Sequence, residues 1–275
     1  MVTGCSSGIG LCVAQGLHRR GYRVFATARK TADLERLRDE GLDALYLDLD
    51  DSASIDGAVE AVMQRTDGKL YGLFNNGAYG QPGAVEDLTR ATLRAQFETN
   101  LFGWLELTNR IIPIMRRQGT GRIIQNSSVL GLITLPYRGA YASSKFALEG
   151  LTDTLRLELR GSGVHVALIE PGPIASRFRH NAMLRFRDNI DAQHSVHRER
   201  YVHMLERLEK PGPAAPFTLP PEAVLKRVIR ALESPRPRAR YYVTFPTYLF
   251  ATLRRLLPYR ALDWVLHRAS GAGRR

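Results

Sequence analysis

The 275-residue sequence is poor in cysteine, in lysine and in long apolar runs, and each shortage removes a class of protein. Its two cysteines, Cys5 and Cys12, lie beside a predicted turn and helix. They suggest neither a disulfide framework nor a metal site, since no C-x-x-C spacing occurs, and this usage fits a reducing cytoplasm. A chain of this length buries enough apolar surface to fold without such staples. The opening Met-Val-Thr-Gly has no basic n-region and no apolar h-region, so no secretory signal is read. Residues Tyr241–Leu253 carry no charge but are too few to span a bilayer, which takes about 20 apolar residues.

Charge of one sign is also missing from one part of the chain. Residues 1–176 hold 19 basic and 19 acidic side chains, whereas residues 177–275 hold 20 basic and only 8 acidic ones, so the whole net charge of +12 sits in the last third. Only 5 of the 39 basic residues are lysine. The excess fits either an arginine-rich solvated face or an anionic partner such as a membrane surface or acidic carrier. No nucleic-acid-binding motif accompanies it.

Up to about residue 170, short β-branched runs alternate with helical stretches. Strands are read at Tyr22–Thr27, Ala44–Leu47, Leu70–Phe74, Arg122–Gln125 and Val164–Ile169. Helices are read at Ile9–Arg20, Asp33–Asp39, Ser54–Arg65, Ala91–Arg117 and Ala140–Arg160. That alternation predicts a doubly wound parallel α/β sheet of the Rossmann type, in one domain. After Pro171-Gly172-Pro173 the rhythm breaks, so residues 177–220 read as a substrate-lid insertion. A helix restarts at Pro221-Glu222, and a strand near Tyr241–Thr244 leads into a basic C-terminal extension. Only Met1–Thr3 precede the first turn, fewer than the five or six residues typical of a strand, which points to a start further upstream or a trimmed chain.

The turn Thr3-Gly4-Cys5-Ser6-Ser7-Gly8-Ile9-Gly10 joins that strand to a helix. Its glycines allow a tight turn, close approach of backbone amides to a pyrophosphate, and close packing of the helix whose N-terminus faces the anion. Glycines alone also fit a structural turn. About 25 residues on, the second strand ends in Ala26-Thr27-Ala28-Arg29-Lys30, with no acid between Gly21 and Thr31. An NAD site places a carboxylate there, whereas an arginine accommodates the 2′-phosphate of NADP(H), so Arg29 selects NADP(H).

Tyr141-Ala-Ser-Ser-Lys145 lies on a predicted helix, where residues four apart share a face. A phenol of pKa about 10 becomes a better base beside a cation, and Lys145 supplies one. Ser127-Ser128 closes a strand thirteen residues earlier, at the sheet edge where ligands bind.

With these pieces in order, namely Thr3-Gly4…Gly8-Ile9-Gly10, Asp48-Leu49, Asn75-Asn76, Asn100, Ser128, Tyr141…Lys145 and Pro171-Gly172, the sequence resembles the short-chain dehydrogenase/reductase family. Across its length it is similar to bacterial NADP-dependent aldehyde reductases akin to retinol and hydroxysteroid dehydrogenases. The resemblance implies that Ser128 orients a carbonyl, Tyr141 passes the proton, Lys145 grips the nicotinamide ribose and Asn100 holds a relay water. It further implies a cofactor cradle of Gly4, Ser6, Ser7, Gly8, Ile9 and Gly10, with Asp48 and Asn75 on the adenosine side. Pro171, Gly172, Ile174 and Ser176 would border the nicotinamide and phosphates. Two departures stand out: Asn75-Asn76-Gly77-Ala78 where the family has Asn-Asn-Ala-Gly, and Ser176 where it commonly has threonine.

The expected activity is reduction of an apolar aldehyde or ketone, reversible toward alcohol oxidation. The alternatives are reduction of a 3-oxoacyl thioester on an acidic carrier, and a cofactor-binding sensor without turnover. A homo-oligomer is the family expectation. His194, His197 and His203 cluster in the lid, where solvated side chains are favoured over metal ligands. Tyr248–Leu266 mixes Leu, Tyr, Trp and Arg like an interfacial helix, so a peripheral membrane contact competes with packing over the pocket or at a subunit contact.

Overall fold

The computed structural model describes residues 1–213 and 215–270. In chain order it contains α1 (Gly8–Arg19), β1 (Phe25–Ala28), α2 (Thr31–Asp39), β2 (Asp43–Tyr46), α3 (Ser52–Gln64), β3 (Gly72–Asn75), α4 (Arg90–Phe97) and α5 (Gly103–Gln118). There follow β4 (Gly121–Asn126), α6 (Gly139–Glu158), β5 (Val164–Glu170), α7 (Phe178–Asn189), α8 (Arg198–Glu209), α9 (Glu222–Glu233), β6 (Arg240–Tyr242), α10 (Phe245–Leu256) and α11 (Tyr259–Ala269).

Every strand pairing is parallel, β1 with β2 and then β3, β4, β5 and β6 in sequence. The two halves are joined by the first residues of the chain. Val2 bridges Ala26 on one side and Phe74 on the other, with Val2 N donating to Phe25 O at 2.8 Å and Thr3 N to Phe74 O at 3.0 Å. The short opening segment therefore fills the centre of a doubly wound Rossmann sheet. Pairing on both sides supplies hydrogen bonds that a three-residue strand could not find alone.

Helices cover both faces, so the strands are apolar along their length, as in Val164–Glu170, where only His165 is exposed. One layer packs α3, α5 and α6 through Ile55, Trp104, Leu107, Ile111 and Leu148. The other packs α1, α2 and α9 through Val13, Leu17, Leu37, Val224 and Val228. Each fully buried aliphatic side chain contributes about 1.5–3 kcal/mol relative to exposure.

Three expectations change. The helix read over Ala91–Arg117 is interrupted: α4 and α5 are separated by a π-helical turn, Glu98–Phe102, because Asn100 turns inward to bond backbone groups of Tyr79. The insertion is not irregular; α7 and α8 form a small core of Met183, Phe186, Tyr201 and Met204, pinned to Ala84. Tyr248–Leu266 is two helices, α10 and α11, separated at Leu257-Pro258, since a proline cannot continue the first helix. Among the described residues, no helix is long and apolar enough to cross a membrane.

Candidate active site

The glycine turn runs from the central segment into α1. Gly4 has φ +70°, and a Cβ there would lie 2.5 Å from the Gly77 Cα. A Cβ on Gly10 would meet Gly4 O at 2.2 Å. Such contacts are below any real Cβ approach, so turn and helix pack this closely only with hydrogen at both positions. Ser7 starts α1 in extended conformation, yet its side chain makes no capping bond. The first amides of the helix thus remain available to an anion. Ile9 packs against the core beneath, and Ser6 O accepts from Arg36 Nη2 at 2.7 Å, which holds the turn's outer rim.

Arg29 follows β1 and is more than half exposed, with Nη1 3.6 Å from Asp48 Oδ1. The two side chains therefore occupy one corner, beyond the carboxyl ends of β1 and β2. Asp48 is fixed from its other side, its backbone N donating to Ser54 Oγ at 2.8 Å.

The side chain of Asn75 points into the fold. Its side chain is wholly buried and donates to Thr108 Oγ1 and Gln125 Oε1, each at 2.9 Å. Asn75 thus contributes no side-chain atom to the cleft. Alternation along β3 gives that face to the next residue instead. Asn76 Nδ2 donates to Thr3 O at 3.0 Å, and its Oδ1 accepts from Asn126 Nδ2 at 2.9 Å. The unusual Gly77 then sits directly against Gly4, and its carbonyl accepts from Trp104 Nε1 at 2.7 Å.

Ser128, Tyr141 and Lys145 are brought to one place by β4 and α6. Ser128 ends β4's run and its Oγ accepts from Leu130 N at 3.1 Å, which turns the chain sharply there. Burial pushes the Tyr141 phenol up to about 12, and a hydrogen bond with Ser128 opposes the rise. Lys145 is buried, and its Nζ donates to Asn126 O at 2.9 Å. Burial lowers this ammonium to about 7, against the nearby Glu149 carboxylate, which raises it. The Nζ also lies 4.2 Å from the Trp104 ring centroid and 5.8 Å from that of Tyr141. Both rings favour the charged form. Asn126 thus links Lys145 through Asn76 to the glycine turn.

Asn100 is wholly buried in the π turn. Its Oδ1 accepts from Tyr79 N at 3.2 Å, and its Nδ2 donates to Tyr79 O at 2.9 Å and Ser144 Oγ at 3.3 Å. Ser144 in turn donates to Tyr141 O at 2.8 Å. Asn100 is therefore connected to the tyrosine's helix turn rather than to its phenol.

The segment after β5 closes the cleft. Pro171 O accepts from Val129 N at 2.8 Å, joining it to the Ser128 turn. A Cβ on Gly172 would lie 2.1 Å from Thr244 Oγ1. Ile174 pairs with Leu219, and Ser176 lies beside the glycine turn, its Cβ 3.0 Å from a Cβ built on Gly8. Phe178, the first residue of α7, meets Tyr141 edge to face with centroids 5.2 Å apart.

Several contributors escaped the sequence reading. Asn76, Asn126 and Phe178 are three. A fourth is a buried cluster behind Lys145: Arg240 binds Glu149, reaches Glu170 Oε1 at 2.6 Å and Asp153 Oδ2 at 2.5 Å. Burial and the Glu149 charge push Glu170 up to about 8. The spacing Lys145-x-x-x-Glu149 was the available signal, but its partners lie far away in sequence. The clustered histidines pair with carboxylates, His194 with Asp191 and His203 with Glu206 three residues away, and His197 with Glu86 across 111 residues.

Comparison with known proteins agrees with this geometry. The short chain dehydrogenase family matches residues 1–185. The oxidoreductase YbbO of Escherichia coli is 46% identical over 266 residues, covering 97% of this chain and 93% of that protein. The NADPH-dependent 3-dehydrocapnine reductase of Ornithobacterium rhinotracheale is 32% identical, covering 98% and 95%. Human 17-beta-hydroxysteroid dehydrogenase type 1 is 33% identical, covering 89% and 76%. A short-chain dehydrogenase/reductase of Burkholderia phymatum, solved with NAD, superposes with a TM-score of 0.77 at 25% identity, covering 97% and 93%. This chain belongs to the short-chain dehydrogenase/reductase family and resembles its hydroxysteroid dehydrogenases.

Proposed function

We propose that the protein is an NADP(H)-dependent oxidoreductase that interconverts an apolar aldehyde or ketone with its alcohol, Tyr141 passing the proton. The observation that carries this reading is the convergence of Ser128, Tyr141 and buried Lys145 beside a glycine cradle that no side chain fills.

The nicotinamide cofactor, when bound, supplies the hydride. Gly4, Ser6, Ser7, Gly8, Ile9 and Gly10 would hold its pyrophosphate, and Arg29 its 2′-phosphate, with Asp48 at the adenosine. Pro171, Gly172, Ile174 and Ser176 would flank the nicotinamide side. The crowding at Gly4 and Gly10 and the open α1 terminus fit such a group. Arg29, with no acid between Gly21 and Thr31, favours NADP(H) over NAD, and an NADPH-dependent relative supports the same choice.

In reduction, Ser128 and Tyr141 hold the substrate oxygen, and the phenol gives it a proton. A phenol held at about 12 keeps that proton throughout the ordinary pH range, as a general acid requires. Protonated Lys145 lowers the cost of the phenolate left behind. In oxidation the same groups act in reverse. Phe178, partly exposed and edge to face with Tyr141, puts aromatic surface beside the phenol, which suits an apolar substrate. The basic last third keeps one rival open, a 3-oxoacyl group on an acidic carrier. A cytoplasmic homo-oligomer is the proposed working form.

The test follows NADPH and NADH oxidation with medium- and long-chain aldehydes, retinal, a ketosteroid and a 3-oxoacyl carrier thioester. The expected result is NADPH turnover with free apolar carbonyls that collapses in Tyr141→Phe. Turnover confined to the carrier thioester would replace the substrate class. NADPH binding without turnover on any of them would leave a sensor.

A further inference from the structure

α10 is apolar on two neighbouring sides. Phe250, Leu253 and Leu257 face inward and pack with Ile133, Leu262 and Leu266, just beyond the Ser128 turn. The other side carries Phe245, Tyr248, Leu249 and Leu256, whose spacing places them in one stripe. All four are exposed, Leu256 by 73%. A helix packed on its own protein normally turns polar residues outward. Past the break at Pro258, α11 adds two more exposed aromatic rings, Tyr259 at 87% and Trp264 at 62%. Phe217 and Tyr242 touch the rings of Phe245 and Tyr248, and the rest of the stripe stays open.

The surroundings state what would. Between residues 245 and 270 there are four arginines, Arg254, Arg255, Arg260 and Arg268, and one acid, Asp263. The Arg268 guanidinium lies 5.0 Å from the Trp264 ring centroid. Exposed aromatic rings and leucines ringed by arginine suit the boundary between acyl chains and anionic headgroups. A second copy of this chain suits the face poorly, because an isologous contact would set the same positive charges against themselves.

We propose that α10 and α11 form a docking surface for an anionic lipid bilayer. The surface goes beyond the reductase reading and stands whether or not a carbonyl is turned over. It also adjoins the cleft. Phe245 packs on Phe217 with centroids 5.0 Å apart, and Leu219 of the same segment pairs with Ile174. A substrate dissolved in the bilayer would therefore reach the cleft beside this face.

The experiment is co-sedimentation of the full chain with phosphatidylcholine vesicles, with and without phosphatidylglycerol, over a range of salt. Sedimentation mass without lipid is measured alongside. Binding is expected only to the anionic vesicles and is expected to weaken with salt. Arg255→Gln with Arg260→Gln should lower the partition coefficient about 25-fold, at roughly fivefold per arginine. Leu256→Ser with Trp264→Ser should lower it at least as much. All four side chains are exposed, so circular dichroism and melting should match wild type and separate lost binding from lost folding. Three results overturn the proposal: no binding to anionic vesicles at low salt, variants that bind like wild type, or a smaller sedimentation mass in Leu256→Ser with Trp264→Ser, which would assign the face to a second copy.

Discussion

Residues 1–176 and residues 177–270 hold their parts of the molecule together by different means. In the first, opposite charges balance and close contact is made by backbone. Gly4 sits on Gly77, Gly10 on the Gly4 carbonyl, and asparagine amides link Lys145 to the turn. In the second, arginines dominate, α7 and α8 carry their own small core, and aromatic side chains face outward. The contrast teaches where tolerance lies. Backbone contact at van der Waals distance admits no extra atom, whereas a surface of long side chains absorbs most substitutions.

The sharpest way to break that contrast is at Tyr141, the proposed proton carrier. Tyr141→Phe is expected to lower kcat by roughly 10²–10⁴-fold with NADPH affinity retained, measured by steady-state turnover and cofactor titration. A phenol lost from a merely structural aromatic pair with Phe178 would leave kcat near wild type.

Next comes the corner shared by Arg29 and Asp48. Arg29→Ala should cut the preference for NADPH over NADH by about 10–100-fold, the worth of a charge-assisted hydrogen bond of roughly 1.5–3 kcal/mol. Equal loss toward both cofactors would place the 2′-phosphate elsewhere.

Two glycines sharpen the packing argument. Gly10→Ala should destabilise by about 1–3 kcal/mol or prevent folding, because its Cβ has nowhere to go. Gly57→Ala, in α3 with open space around it, should instead raise stability by up to about 1 kcal/mol. Thermal melts of the two variants test the pair together.

Lys145 offers a pH-dependent comparison. Its folded-state pKa of about 7 lies below the reference value of 10.5, so between those values the unfolded chain holds a proton that the native chain has released. Its contribution to stability therefore rises with pH across that window. Lys145→Met removes the slope. The melting-temperature difference, variant minus wild type, should be most positive at or below pH 7 and should decline toward pH 10. A difference that stays flat would mean that Lys145 titrates normally. The smallest effect is expected at Trp264→Ser, within about 0.5 kcal/mol, since the ring is exposed.

How legible each part was follows from the range of the interaction. The strand and helix rhythm was visible because apolar periodicity is local, and the structure keeps each of the five strands read before residue 170, with only its ends shifted. The sequence reading paired Tyr141 with Lys145 from spacing on one helix face. Asn75 and Asn76 were not distinguishable, since neighbours in a strand differ only in which face they meet. The π turn at Asn100 depends on Tyr79, 21 residues away, and the Arg240 cluster joins residues 70 to 91 positions apart. Phe178 reaches Tyr141 only because α7 starts against α6.

The sequence by itself determined the parallel α/β class, the glycine turn, the Ser-Tyr-Lys set and the concentration of positive charge in the last third. Those properties live in neighbouring residues or in composition, where torsional preference and periodicity act without a partner. The tertiary structure alone decided that Val2 bridges the two halves of the sheet, that the Asn76 rather than the Asn75 side chain serves the turn, and that α10 turns an apolar stripe outward. Each depends on which distant groups bury or satisfy a side chain, and that is settled only when the whole chain has packed.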